Sequence, residues 1–147
     1  MHVERLISAS VASGAEVRIG GNRHVSDTGK GFFFQPTVLA SCTPEMPCCQ
    51  EEIFGPVVPV IKFTDEAEVI HLANSTQYGL AGYMFTCDLA QAWRVSEHLQ
   101  VGMLGVNTGR FSAAELPFGG IKYSGIGREG GPCALEQFMD TRSIVWH

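Results

Sequence analysis

The glycine-rich stretch spanning residues 107–131 limits most strongly what this chain can fold into. Seven of the chain's 17 glycines fall within it. A connector this long is uncommon inside a compact domain and is usually functional where it occurs. It follows Met103-Leu104-Gly105-Val106, which reads as a buried strand, and precedes a short helix over residues 134–139 opened by Pro132. The search for a site therefore begins in this loop.

The rest of the chain alternates helical and extended patterns. Val3, Leu6, Ile7, Ser10 and Val11 keep i, i+3, i+4 spacing, which predicts an amphipathic helix stopped by Gly14. Residues 15–19 alternate as a half-buried strand would, and Gly20-Gly21-Asn22 ends it. Phe32 to Leu39 resumes an extended run, made irregular or placed at an edge by Pro36. A second apolar run, residues 57–61, leads to Thr64-Asp65, a capping signal for a helix with Val69, Ile70 and Ala73 on its apolar face. Residues 80–85 read as a strand, and Asp88 with Gln91 resembles a capping box for the helix carrying Leu89, Ala92, Val95 and Leu99. Residues 141–146 are β-prone. Strands alternating with helices of this length predict an α/β fold with a mainly parallel sheet and flanking helices.

Composition narrows the function. A chain of 147 residues is long enough to bury about two-thirds of its unfolded surface. With 45% hydrophobic and 17% charged residues it is apolar for an isolated domain, so part of its surface is expected to seek a partner. The net charge of -5 argues against nucleic acid or an anionic membrane as that partner, because such ligands need clustered Lys and Arg. No run is long enough to span a membrane and the first residues lack a signal-peptide layout, so a cytoplasmic location is expected. Cys42, Cys48, Cys49, Cys87 and Cys133 form an odd set without a C-x-x-C pair, which reads as reduced thiols and no metal site; Cys42, Cys87 and Cys133 read as small packing residues.

Four segments, in this order and spacing, resemble the aldehyde dehydrogenase family. They are Gly31-Phe32-Phe33-Phe34-Gln35-Pro36-Thr37-Val38, Glu51-Glu52-Ile53-Phe54-Gly55-Pro56-Val57, Asn74-Ser75-Thr76-Gln77-Tyr78-Gly79-Leu80 and Pro117-Phe118-Gly119-Gly120-Ile121-Lys122-Tyr123-Ser124-Gly125. The resemblance implies the C-terminal portion of that family's catalytic domain, over residues 1–139, with a C-terminal oligomerisation strand over residues 140–147. It implies that Glu52 bonds the ribose hydroxyls of NAD or NADP and that Phe54 packs against the nicotinamide. An ionised carboxylate suits two vicinal hydroxyls and an aromatic face suits the ring. Phe118 would flank the aldehyde. The stretch Val106 to Glu115 resembles the succinate-semialdehyde dehydrogenase branch, in which the residue matching Ser112 helps hold the substrate's distal carboxylate; Arg110 departs from that branch, which has an aliphatic residue there. Arg128 and Glu129 match structural or subunit-contact positions, and Glu129 also matches a position on a proton-relay route in some members.

Gly125-Ile126-Gly127-Arg128-Glu129-Gly130 also fits G-x-G-x-x-G, but no strand directly precedes it and no βαβ unit follows. The family's chemistry needs a thiolate nucleophile, a nicotinamide and a glutamate base. No cysteine here has the family's Gly-Gln-x-Cys context, and the base and the dinucleotide-binding domain lie upstream in the family's order. The chain alone is therefore expected to carry no catalytic residue, bind no cofactor and be inactive, as a fragment of an NAD(P)-dependent enzyme that forms homo-oligomers through its last strand. Two other readings stand beside this one: a non-catalytic assembly module that associates with full-length subunits, and a thiol or metal module built on Cys42, Cys48 and Cys49.

Overall fold

The computed structural model describes residues 2–26, 28–110 and 113–147, which form two compact units, residues 1–64 and 65–147. The first unit opens with α1 (His2–Ala12), whose buried face is Val3, Leu6, Ile7 and Ser10. The predicted stripe is there except at its end, where Val11 is exposed. Gly14, at φ 108, turns the chain out of the helix. Five strands and one helical turn follow: β1 (Glu16–Ile19), β2 (Arg23–His24), β3 (Phe33–Phe34), β4 (Thr37–Ala40), α2 (Pro47–Gln50) and β5 (Val57–Pro59). β4 is the centre of a three-stranded sheet, antiparallel to β1 and parallel to β5. Leu39 of β4 is fully buried among Val3, Ile7, Ala15, Met46 and Val57, and burial of such a side chain contributes about 1.5–3 kcal/mol.

Pro36 breaks the run of residues 32–39 into β3 and β4, because it has no N–H to donate to a ladder. The break is pinned from inside. The buried Thr37 hydroxyl donates to the Gln35 carbonyl at 2.8 Å and accepts from the Gly21 N–H at 2.8 Å. Gly20, at φ 72, has no room for a side chain there, since a Cβ would lie 2.2 Å from the Pro36 carbonyl oxygen.

The second unit contains α3 (Glu66–Asn74), β6 (Tyr78–Gly79), β7 (Ala81–Met84), α4 (Leu89–His98), β8 (Met103–Val106), β9 (Ile121–Lys122) and a 3-10 turn (Pro132–Phe138). β7 and β8 are parallel and joined through α4, a βαβ unit. Asp65 caps α3 by accepting from the Glu68 N–H at 2.8 Å, and Asp88 caps α4 by accepting from Ala90 and Gln91 N–H. The second half of the expected capping box is not made as such. Gln91 instead accepts from the Thr86 hydroxyl at 2.6 Å, and that hydroxyl accepts from the Asp88 N–H.

Three further expectations need correction. The sheets are small and mixed: among the described residues, β4–β5 and β7–β8 are parallel while β1–β4, β2–β3 and β6–β9 are antiparallel. Of the antiparallel pairs only β2–β3 joins consecutive strands; β1–β4 and β6–β9 pair segments separated by other elements, so no helical crossover obliges them to run parallel. β1 is exposed at all four residues, not half-buried. Cys87 is exposed rather than a packing residue. Residues 140–147 carry no regular secondary structure and are exposed, including Ile144, Val145 and Trp146.

Candidate functional site

The four signature segments pair two and two, one pair inside each unit. In the first unit Thr37 lies opposite Val57 in the β4–β5 ladder, and the Thr37 N–H donates to the Pro56 carbonyl at 2.8 Å. The segment at 51–56 is thereby fixed at its far end. Its near end is fixed by α1. Arg5 donates to both carboxylate oxygens of Glu51, at 3.2 and 2.6 Å, and His2 donates from Nε2 to the Glu52 carbonyl at 3.0 Å. A carbonyl only accepts, so His2 carries its proton on Nε2, leaving Nδ1 to accept from Arg5 at 3.4 Å. The Arg5 guanidinium holds the Glu51 carboxyl below the usual carboxylate range, chiefly through the side-chain hydrogen bonds.

Between these anchors the predicted cofactor residues face solvent. Glu52 is exposed and Phe54 is 85% exposed. Phe54 also has φ 46, a left-handed conformation that a bulky side chain seldom adopts. Such a conformation costs on the order of 1–3 kcal/mol and persists where its surroundings impose it. The neighbouring Gly55 packs closely on α1, where a Cβ would lie 2.7 Å from Val3. The Phe54 ring and the Glu52 carboxylate are thus both accessible to solvent on the same short segment.

In the second unit the segments at 74–80 and 117–125 are joined along their length. β6 pairs with β9, with Tyr78 opposite Lys122 and Gly79 opposite Ile121. Lys122, at φ 55, sends its Nζ to the Asn74 and Thr76 carbonyls at 2.8 and 3.1 Å, placing a cation on the C-terminal end of α3 where the helix dipole favours one. The Gly79 N–H donates to the Ser124 hydroxyl at 3.0 Å and the Tyr123 N–H to the Gln77 carbonyl at 3.0 Å. Asn74 in turn ties down the end of α4, donating to the His98 carbonyl and accepting from the Gln100 N–H, both at 2.8 Å.

The long loop is closed by its own backbone. Phe118 and Glu129 exchange N–H to carbonyl bonds of 2.7 Å in each direction, and Arg128 donates to the carbonyls of Gly120 and Gly127, each at 2.7 Å. A cavity of about 640 Å³ is lined by Phe118, Glu129, Arg128, Leu80, Gln137 and Phe138 among others. The two residues read as aldehyde-flanking and proton-relaying are therefore adjacent, at its edge. Ser112, the expected carboxylate-binding residue, lies outside the described residues. The glycine pattern at 125–130 belongs to this folded-back loop, with Gly125, Gly127 and Gly130 at positive φ, and no helix of eight residues follows it.

Sequence reasoning missed the holding residues. Asn74, Lys122 and Ser124 stand inside quoted motifs, but nothing in the motifs says that one clamps another 48 residues away. Asn107 was likewise passed over as the start of a loop. Its side chain accepts from the Thr86 N–H and donates to the Thr86 carbonyl, both at 2.9 Å, pinning the loop's first residue to the segment after β7.

Residues 1–144 match the sequence profile described as "Aldehyde dehydrogenase family". The mitochondrial succinate-semialdehyde dehydrogenase of Rattus norvegicus is 48% identical over 144 residues, which is 98% of this chain and 27% of that protein. The crystal structure of succinate-semialdehyde dehydrogenase from Burkholderia pseudomallei superposes with a TM-score of 0.87 at 43% identity, over 93% of this chain and 28% of that one. Betaine aldehyde dehydrogenase from Staphylococcus aureus in complex with NAD+ also gives a TM-score of 0.87 at 43% identity, over 93% of this chain and 27% of that one. The chain thus spans little more than a quarter of the length of these relatives.

Proposed function

Because the chain belongs to the aldehyde dehydrogenase family, we propose that its residues form the C-terminal part of a catalytic domain that oxidises succinic semialdehyde to succinate with NAD or NADP. The observation that carries this reading is the 48% identity to the rat enzyme across 98% of the chain. NAD or NADP, when bound, would supply the hydride acceptor for the oxidation. Glu52 accepts hydrogen bonds from the two ribose hydroxyls, and Phe54 gives the nicotinamide a flat apolar face that fixes its orientation. Their exposure and the anchoring of residues 51–56 at both ends support the fit. Phe118 borders the aldehyde, Ser112 donates to the distal carboxylate, and Glu129 passes protons at the cavity edge.

The 147 residues alone are proposed to be inactive. Burial beside Cys48 and Cys42 pushes the Cys49 thiol up to about 12, so it stays protonated at neutral pH, the opposite of what a carbonyl-attacking thiolate requires. Homo-oligomerisation through residues 140–147 is part of the same proposal, supported by the exposed Ile144, Val145 and Trp146. That same exposed tail favours the second reading, an assembly module that joins full-length subunits.

The test uses two proteins, this chain and a full-length subunit carrying it, each given succinic semialdehyde with NAD and, separately, NADP. Reduced nicotinamide is expected from the full-length subunit and none from the chain. Turnover of a different aldehyde in strong preference to succinic semialdehyde overturns the substrate, and turnover by the chain alone overturns its inactivity. Co-migration of the chain with active full-length subunits on size exclusion would support the assembly reading.

A further inference from the structure

Cys42 and the adjacent pair Cys48 and Cys49 come together at the edge of the first unit's core. The Cys48 sulfur lies 3.9 Å from that of Cys42 and 3.7 Å from that of Cys49, and all three lie within 4.8 Å of one another. Cys42 and Cys48 are buried, while Cys49 is half-buried. The backbone fixes the arrangement. The Cys42 N–H donates to the Val60 carbonyl at 3.2 Å, the Cys48 N–H to the buried Ser10 hydroxyl at 3.0 Å, and the Cys49 N–H to the Met46 carbonyl at 2.8 Å. Pro47 starts α2 at this point, so both its cysteines sit in a helical turn whose position is set by α1.

We propose that Cys42, Cys48 and Cys49 form a binding site for a soft divalent cation of the zinc class, with three thiolate ligands and a fourth position open to water. A point equidistant from three sulfurs so placed lies at most about 2.5 Å from each in their plane, a range that includes the zinc–thiolate bond of about 2.3 Å. All three ligands are sulfur, a donor set that selects zinc or copper(I) over magnesium and calcium. Zinc leaves the smaller net charge in an apolar setting, one negative charge with three thiolates against two for copper(I). Cys49 is the half-buried member, so entry and the water ligand lie on its side.

Binding breaks three S–H bonds and forms three Zn–S bonds, and the three protons pass to solvent without any change of oxidation state. The Cys42 thiol, which donates to the Leu39 carbonyl at 3.5 Å, gives up that bond in the process. Burial raises both Cys42 and Cys49, so affinity should increase with pH. An ion here would lock the end of β4 to the first turn of α2, the turn that leads directly into residues 51–56.

The test titrates the reduced chain with zinc against a chromophoric chelator, and with cobalt(II) to read its sulfur-to-metal charge-transfer band. One ion per chain with that band is expected. Cys42→Ser, Cys48→Ser and Cys49→Ser should each weaken zinc binding by at least about 100-fold, whereas Cys87→Ser should not change it. Thiol labelling of the unaltered chain guards against a variant that fails to fold: zinc should protect three of the five thiols. No protection, binding that survives the single substitutions, or rapid disulfide formation among the three in place of uptake would each overturn the site.

Discussion

Phe118 and Glu129 face each other across an antiparallel bridge, each donating its N–H to the other's carbonyl at 2.7 Å. The bridge draws residues 117–131 into a closed loop at the cavity of about 640 Å³, so a loop too long to be a plain connector is held from within. Its glycines are what allow it to close. A Cβ on Gly119 would lie 2.6 Å from the Gly127 carbonyl oxygen, and one on Gly102 only 2.0 Å from the Gly119 carbonyl oxygen.

Replacing Gly102 with alanine should therefore destabilise the chain by about 1–3 kcal/mol, because backbone atoms must move to admit the methyl group. Gly109→Ala is the matched comparison, since its Cβ would have open space; it should be neutral or stabilise by about 0.4–1 kcal/mol. Thermal unfolding of the two variants side by side checks the difference. Equal midpoints would contradict the close approach at Gly102.

Asn74 binds the His98 carbonyl and the Gln100 N–H while its own carbonyl receives Lys122. Asn74→Ala should cost about 1–3 kcal/mol and increase amide exchange at Gln100. Asn74→Asp keeps the acceptor for Gln100 but loses the donor for His98, so protection at Gln100 should largely return. Hydrogen exchange resolved by residue reads both outcomes.

Glu66 is held below its ordinary value mainly by hydrogen bonding to Arg94, whose Nε and Nη2 reach its two carboxylate oxygens at 3.0 and 2.9 Å. A carboxyl depressed in the folded state adds stability above its unfolded pKa, about 4.3, and loses that contribution as pH falls through the folded value. Glu66→Gln should lower the plateau near neutral pH slightly and flatten the acid side, the two profiles converging below the folded value. Chemical denaturation from pH 3 to 7 provides the measurement, and a profile identical to that of the unaltered chain would refute it.

Phe54 combines an unfavourable backbone with the proposed nicotinamide contact. Phe54→Gly in a full-length subunit should relax the left-handed φ, raising stability by about 1 kcal/mol, while increasing KM for NAD or NADP. Glu52→Gln should raise KM for the cofactor by about tenfold or more without altering stability, since it removes the charge from bonds to the ribose hydroxyls. A rise in KM for the aldehyde with none for the cofactor would reassign both residues.

The helices were legible because their causes are local: the stripe Val3, Leu6, Ile7 and Ser10, the caps Asp65 and Asp88, and Pro47 or Pro132 at a first turn. Sheet order was not. Pairing β6 with β9 joins Gly79 to Ile121, and no local propensity in either two-residue strand announces a partner so far along the chain. Glu52 and Phe54 were read from their motif, but the left-handed φ at Phe54 was hidden, since a bulky residue gives no local signal for that conformation. The sequence offered Cys42, Cys48 and Cys49 only as an alternative reading, without their geometry. The spacing of Cys42, Cys48 and Cys49 is irregular in sequence, and the turn around Pro47 is what folds it into a triangle.

The two-and-two coupling of the signature segments bears on how such chains can be recombined. A crossover between homologous genes at Thr64 and Asp65 leaves Thr37 with its own Pro56 and Lys122 with its own Asn74. A crossover within residues 38–55 gives Thr37 an acceptor from the other parent, and one within residues 81–116 does the same to Lys122, so viable hybrids should cluster at the first junction.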